Sequence, residues 1–315
     1  MKILIIDSHK GTKEKPQNLH WLNAEKIQQH LTSVGNSVDL IWSYPTVNDN
    51  ISTGYDVIIF NHASRYSYIS DEWLLKNPTA KIFYITNEYN LGEPVMLWSH
   101  VKKLGLKYDV IANHEASASK VVTKYVNNWN FVNLNALIID NKKENTSHEF
   151  FTVERNNCIY YGSFRKDRVN YFSKYLTGKI IISTHKKNRY KFEAAGITGP
   201  FKDRLNWNTG ELSAFKTSLY IEDASTHKNY NCLANRFYEA LNHETFPLFD
   251  KSCTNSIKLS GYDIPEFAMV DNPSDVEYIT LNLPKEHTYY LHEWFKQAAQ
   301  EKQNVLNYIT ELVTS

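Results

Sequence analysis

Asn157-Cys158-Ile159-Tyr160-Tyr161-Gly162-Ser163-Phe164-Arg165-Lys166-Asp167-Arg168 runs from a short apolar segment through a glycine into sequence that suits a helix start. A buried strand is expected over Asn157–Tyr161, followed by a helix from about Arg165 to Leu176. Downstream, apolar runs at Lys179–Ser183, Thr217–Ile221, Thr245–Phe249 and Glu266–Val270 read as further strands, and Leu233–Asn242 reads as a helix. The tail, Lys285–Val313, is a long polar helical stretch with no strand after it. Strands that alternate with helices build parallel sheets covered on both faces.

The same rhythm precedes this stretch. Lys2–Asp7, Ser37–Trp42, Tyr55–Phe60, Lys81–Thr86 and Tyr108–Ala112 are short apolar runs, each followed by helix-compatible sequence. Leu19–Ser33 carries apolar residues near helical spacing and stops before Gly35, a helix C-terminal signal. The pattern breaks at the polar stretch Asp140–Glu149 and restarts at Asn157. The expected organisation is therefore an N-terminal α/β domain over 1–148, a second over 149–285, and a helical segment over 286–315 packing back toward the first. With 315 residues, two domains is also what length predicts, at roughly 100–200 residues each. Ligands of such sheets bind beyond the carboxyl ends of the strands, and two facing halves would place a substrate cleft between them.

Composition narrows the function classes. Hydrophobic residues make up 42%, enough for real cores and too many for a disordered chain. Lys+Arg 35 against Asp+Glu 34 argues against a protein that coats nucleic acid, while leaving room for a local basic face. Cys158, Cys232 and Cys253 are too sparse and too widely spaced for a disulfide framework or a zinc site, and are read as buried free thiols. The opening run Met-Lys-Ile-Leu-Ile-Ile-Asp is too short for a signal peptide or a membrane span, so a cytosolic protein without a membrane partner is expected. Separately, the chain is expected to be a monomer.

Two segments carry chemistry. After the strand ending at Tyr161, Gly162 permits close approach of a ligand to the backbone. The helix start and the Ser163 hydroxyl suit an anion, and Arg165 and Arg168 add forked positive donors. The same residues also fit an ordinary strand–turn–helix with surface arginines. The second segment is Asn235-Arg236-Phe237-Tyr238-Glu239-Ala240-Leu241, preceded by the polar loop Asp223–Asn231. Arg236 and Glu239 stand at i and i+3, so they share a helix face. There the arginine can neutralise phosphate and the carboxylate can accept ribose hydroxyls; a plain surface Arg–Glu pair is the alternative. Of seven arginines in the chain, these two short segments hold three.

On these motifs the chain resembles the bacteriophage DNA β-glucosyltransferases. The likeness is collinear and nearly full-length. It takes in the opening Met-Lys-Ile strand, Tyr55-Asp56 with Asn61, Phe83-Tyr84-Ile85, Gly162–Arg165, Lys228-Asn229-Tyr230-Asn231 and Arg236-x-x-Glu239. It implies the glycosyltransferase B fold of two Rossmann-like domains. It also implies inverting transfer of a sugar from a UDP-sugar, glucose by default, to 5-hydroxymethylcytosine in double-stranded DNA. Carried over by position, the donor would be held by Gly162, Ser163, Phe164, Arg165, Arg236 and Glu239, with Phe201 at the uracil. Asp223 and Tyr230 would lie near the phosphates and sugar. Arg168 follows Arg165 by three residues where the family spaces four, and the loop before Arg236 is two residues longer than in the family.

The resemblance also implies a carboxylate that takes the acceptor's hydroxyl proton. The family's Asp is replaced by Glu in Thr86-Asn87-Glu88, so Glu88 is the candidate base. His20, near the start of the first helix, is the rival base, and His9 and His62 at strand ends are weaker ones. DNA contact would need a basic rim. Lys10, Lys13 and Lys15 follow the first strand, Arg65, Tyr66 and Tyr68 the third, and Lys102 and Lys103 follow Glu88. These also fit solvated loop charges. No Asp-x-Asp anchor for a metal–diphosphate pair is found, so no metal site is assigned; the resemblance implies a divalent ion as a stimulant only. Two other classes stay open: a transferase of this fold acting on a polysaccharide, small molecule or protein, and a nucleotide- or DNA-binding protein without turnover.

Overall fold

The computed structural model of the chain describes residues 1–7, 19–42, 51–61, 71–86, 103–113, 125–140, 157–176, 178–205, 210–222 and 232–315, with only the backbone at 19–21 and 42. These residues form two compact units, Met1–Ile138 with Gln300–Ser315, and Ile139–Ala299. The expected boundary at 148/149 lies outside the described residues.

In the first unit, β1 (Lys2–Asp7), α1 (Leu19–Ser33), β2 (Ser37–Trp42), β3 (Val57–Asn61), α2 (Asp71–Leu75), β4 (Lys81–Thr86), β5 (Tyr108–Ala112) and β6 (Val126–Phe131) follow one another. The strands pair in the order β2-β1-β3-β4-β5-β6, every pair parallel. Side chains alternate across the sheet, as the two-residue strand period requires. Ile3, Ile5, Val57, Ile59, Phe83 and Ile85 face one core, with Ala24, Ile27 and Leu31 of α1. Leu4, Ile6, Ile58, Phe60 and Tyr84 face the other, with Trp73 and Leu74 of α2. α1 ends where the sequence indicates: Gly35 is left-handed at φ 92°, and the Asn36 N–H donates to the Leu31 carbonyl at 3.2 Å.

The second unit comprises β7 (Cys158–Tyr161), α3 (Val169–Tyr175), β8 (Ile181–Thr184), α4 (Lys186–Ala194), β9 (Phe201–Asp203), β10 (Thr217–Tyr220), α5 (Asn235–Asn242), β11 (Phe246–Asp250), α6 (Thr254–Ser260), β12 (Met269–Val270) and α7 (Pro273–Leu281). Its parallel order is β12-β11-β10-β7-β8-β9. The helix expected from Arg165 starts later: Lys166–Arg168 is a 3-10 turn and the α-helix begins at Val169. Likewise Glu266–Ala268 is 3-10, and only Met269–Val270 pairs as a strand. β6 and β9, which sequence patterning did not indicate, complete the two sheets at one edge each.

The tail, expected as a segment of its own, is one helix, α8 (His287–Thr314), divided between the units at Ala299/Gln300. Its Val305, Leu306, Ile309 and Val313 recur at helical spacing and join the α1 side of the first sheet's core. Toward its start, Trp294 is 2% exposed, stacks on Phe246 at 5.3 Å, and donates from Nε1 to the Asp263 carbonyl at 2.8 Å.

Candidate functional site

An open α/β sheet offers a ligand crevice beyond the carboxyl ends of its strands, where the strand order reverses. In the second unit the chain goes from β7 to β8 and β9, then returns to lay β10 on the other side of β7. The reversal therefore lies between β7 and β10. Gly162 follows β7, Glu222 lies two residues past β10, and Arg236 and Glu239 lie on α5.

Gly162 is where the backbone must be glycine. Its φ is +154°, and a Cβ built there would stand 2.9 Å from Arg236 Nη2 and 3.3 Å from Tyr160 Oη. The Gly162 N–H is anchored on the Ser183 carbonyl of β8 at 3.0 Å. Arg236 is in turn fixed against both strand ends. Nε donates to the Tyr161 carbonyl at 3.1 Å and Nη1 to the Ile221 carbonyl at 3.5 Å, while Nη1 also pairs with Glu222. The guanidinium lies 5.5 Å over the Tyr160 ring, and the Tyr161 hydroxyl donates to the Arg236 carbonyl at 2.8 Å. Burial opposes the charge on Arg236, but the neighbouring Glu222, Tyr160, Tyr161 and Glu239 more than restore it, so its pKa is raised. This arginine stays cationic.

Glu239 sits one turn along α5 and is 8% exposed. Burial pushes its carboxyl up to about 7, against the opposing pull of Arg236, the Tyr161 hydroxyl and Arg204. Burial and the adjacent Glu239 hold the Tyr161 phenol well above its ordinary value, so it stays a hydrogen-bond donor.

The other expected donor residues are placed as follows. Ser163 and Arg165 are exposed in the segment that leads from Gly162 into the 3-10 turn. Phe164 is half-buried, packing edge-on to Phe192 at 5.1 Å and against Phe172 at 5.7 Å, which pegs this segment to α3 and α4. Arg168 is buried, and its Nη2 pairs with Glu222. Phe201 opens β9, with the Arg189 guanidinium 5.3 Å over its ring. Asp223, Tyr230, Glu88, Lys10, Lys13, Lys15, Arg65, Tyr66, Tyr68 and Lys102 lie outside the described residues, as does the side chain of His20. Lys103 is exposed and pairs with Asp71.

Sequence patterning did not single out Glu222, the buried carboxylate between Arg168 and Arg236. The available signal was a charge directly following the apolar end of a strand run, Leu219-Tyr220-Ile221. In the first unit the strand order reverses between β1 and β3, and there the buried Asn61 Nδ2 donates to Asp7 at 2.7 Å. Among the described residues no three His, Cys, Asp or Glu side chains group to hold a metal ion, and no described helix is long and apolar enough to cross a membrane.

No protein-family model matches the chain, and no curated protein sequence does. Solved structures match along its whole length. T4 phage β-glucosyltransferase in complex with UDP and Mn2+ is 17% identical, with a TM-score of 0.71 and 99% of each chain covered. The same phage enzyme with its UDP-glucose substrate is 16% identical at a TM-score of 0.73, again over 99% of each chain. A structure of the DNA-modifying β-glucosyltransferase, with and without uridine diphosphoglucose, is 18% identical at 0.71 over 100% of both. The fold is thus that of the glycosyltransferase B class, as the two six-stranded parallel sheets indicate.

Proposed function

We propose that this chain is a glycosyltransferase that moves a sugar from a UDP-sugar to the hydroxyl of 5-hydroxymethylcytosine, or a related modified pyrimidine, in double-stranded DNA. One observation carries the reading: Gly162, Arg236 and Glu239 assemble at the strand-order reversal of a glycosyltransferase B fold. In that assembly the Arg236 guanidinium meets the diphosphate and the Glu239 carboxylate accepts the ribose hydroxyls. Exposed Arg165 and Ser163, beside Gly162, supply further phosphate donors. A fixed cation costs no reorganisation as the leaving diphosphate gains charge.

In the reaction the acceptor oxygen attacks the anomeric carbon and the carbon–oxygen bond to the diphosphate breaks. The hydroxyl proton passes to a base, assigned to Glu88, and UDP leaves as the anion that Arg236 and Arg165 neutralise. The DNA acceptor and the UDP-sugar donor are supported by the full-length likeness to the T4 phage enzyme. The test is incubation with a panel of UDP-sugars and hydroxymethylcytosine DNA, followed by mass spectrometry of the digested nucleosides. A nucleoside heavier by one glycosyl unit is expected. Unmodified DNA, together with transfer to a saccharide or protein acceptor, would overturn the DNA reading and leave the donor assignment standing.

A further inference from the structure

Glu222, which the transfer chemistry above does not use, lies at the centre of an ion triad with Arg168 and Arg236. Its side chain is 3% exposed, and each carboxylate oxygen is occupied: Oε1 by Arg236 Nη1 and Oε2 by Arg168 Nη2. Removing a carboxylate from water is costly unless pairing compensates, so this group is held by its two partners. The partners come from separate places. Arg168 ends the 3-10 turn after β7, Glu222 follows β10, and Arg236 opens α5. One carboxylate therefore ties together the three segments that meet at the strand-order reversal.

The donor count on Arg236 shows what the tie accomplishes. A guanidinium has five N–H groups in a rigid plane. Nε is taken by the Tyr161 carbonyl, and Nη1 by the Ile221 carbonyl and Glu222. Nη2 has no acceptor among the described residues, and it borders the notch that Gly162 leaves by lacking a Cβ. Fixing Nε and Nη1 fixes the plane, so the grip of Glu222 on one edge presents the other edge to a ligand above Gly162.

We infer that Glu222 is a positioning residue for the donor diphosphate: it aims Arg236 Nη2 at the phosphates, and Arg168 acts through Glu222 rather than on the ligand. The inference rests on the donor reading above. Glu222 does not compete with phosphate for the arginines, because leaving its place would strand a buried carboxylate. It also gives Arg168, expected as a forked positive donor to the diphosphate although its spacing from Arg165 departs from the family's, a place behind Glu222.

The test compares UDP with uridine, which keeps base and ribose but has no phosphate, by calorimetric and NMR titration of the full chain. Glu222→Gln keeps shape and loses charge. It should weaken UDP roughly tenfold, about the worth of one charged hydrogen bond, while uridine affinity holds within about twofold. Arg168→Met should weaken UDP no more than Glu222→Gln, and should add nothing in the Glu222→Gln background. A purely structural role would lower UDP and uridine affinity together; a competing counter-ion would tighten UDP. Either result overturns the inference. Should Glu222→Gln fail to fold, Glu222→Asp decides, since it keeps the charge but is too short for both arginines. Selective loss of UDP supports the role, and equal loss of UDP and uridine refutes it. Wild-type protein that binds neither compound defeats the donor reading itself, and the positioning role falls with it.

Discussion

Gly162 and Arg236 constrain each other, and that coupling can be measured. Gly162→Ala places a methyl 2.9 Å from Arg236 Nη2 on a backbone at φ +154°, so the guanidinium must move. UDP affinity should fall by roughly tenfold in an isothermal titration, as one charged contact is misaligned. Glu239 gives a pH dependence with two opposite signs. Its carboxyl titrates near 4.5 when solvated and at about 7 in the fold, because it is buried. Between those values the native state holds the extra proton, so folding stability falls as pH rises from about 4.5 to about 7. Donor binding runs the other way, since the ionised carboxylate is the better acceptor for ribose hydroxyls: UDP affinity should rise with pH through about 7. Glu239→Gln should flatten both profiles, read by thermal melts and UDP titration from pH 5 to 8.5. The glycine, the arginine and the glutamate were legible in sequence because their spacing follows strand and helix geometry. Glu222 was not, because its partners are distant in the chain.

The elements were legible where apolar residues run together or recur with a helical period. The β1 run and the β3 run are buried on both faces, and both read as strands from sequence. β6 escaped because Val-Asn-Asn-Trp-Asn-Phe is an edge strand with three asparagines, residues that sheets disfavour. It forms because pairing with β5, across a register shift between Tyr108 and Val110, supplies what propensity does not. β9 is three residues long and stands at its sheet's other edge for the same reason. α8 was legible as a helix, but its allegiance was not. Val305, Leu306, Ile309 and Val313 bury against residues such as Ile3, Ile5 and Ile59, far off in sequence. Ile309→Ala should therefore cost about 2–4 kcal/mol in denaturant unfolding of the first unit, through lost burial and a residual cavity.

At the scale of the molecule, donor binding and sugar transfer should prove separable. If Glu88 removes the acceptor proton, Glu88→Gln should lower the transfer rate by at least about a hundredfold while leaving UDP affinity within about twofold. Loss of UDP binding in that variant would place Glu88 on the donor side and sink its role as base. The near balance of 35 basic and 34 acidic residues adds that any grip on duplex DNA comes from a local face, not from bulk charge.

The sequence by itself determined the alternation of strands and helices, the division into two α/β halves, and the residue types that could face a diphosphate. Each of these is written locally: a short apolar run, a helical period, a glycine between strand and helix. Which of those residues meet was decided by the tertiary structure alone. Arg168, Glu222 and Arg236 converge only because β10 returns beside β7, and strand order depends on how whole faces pack rather than on any pattern within a segment.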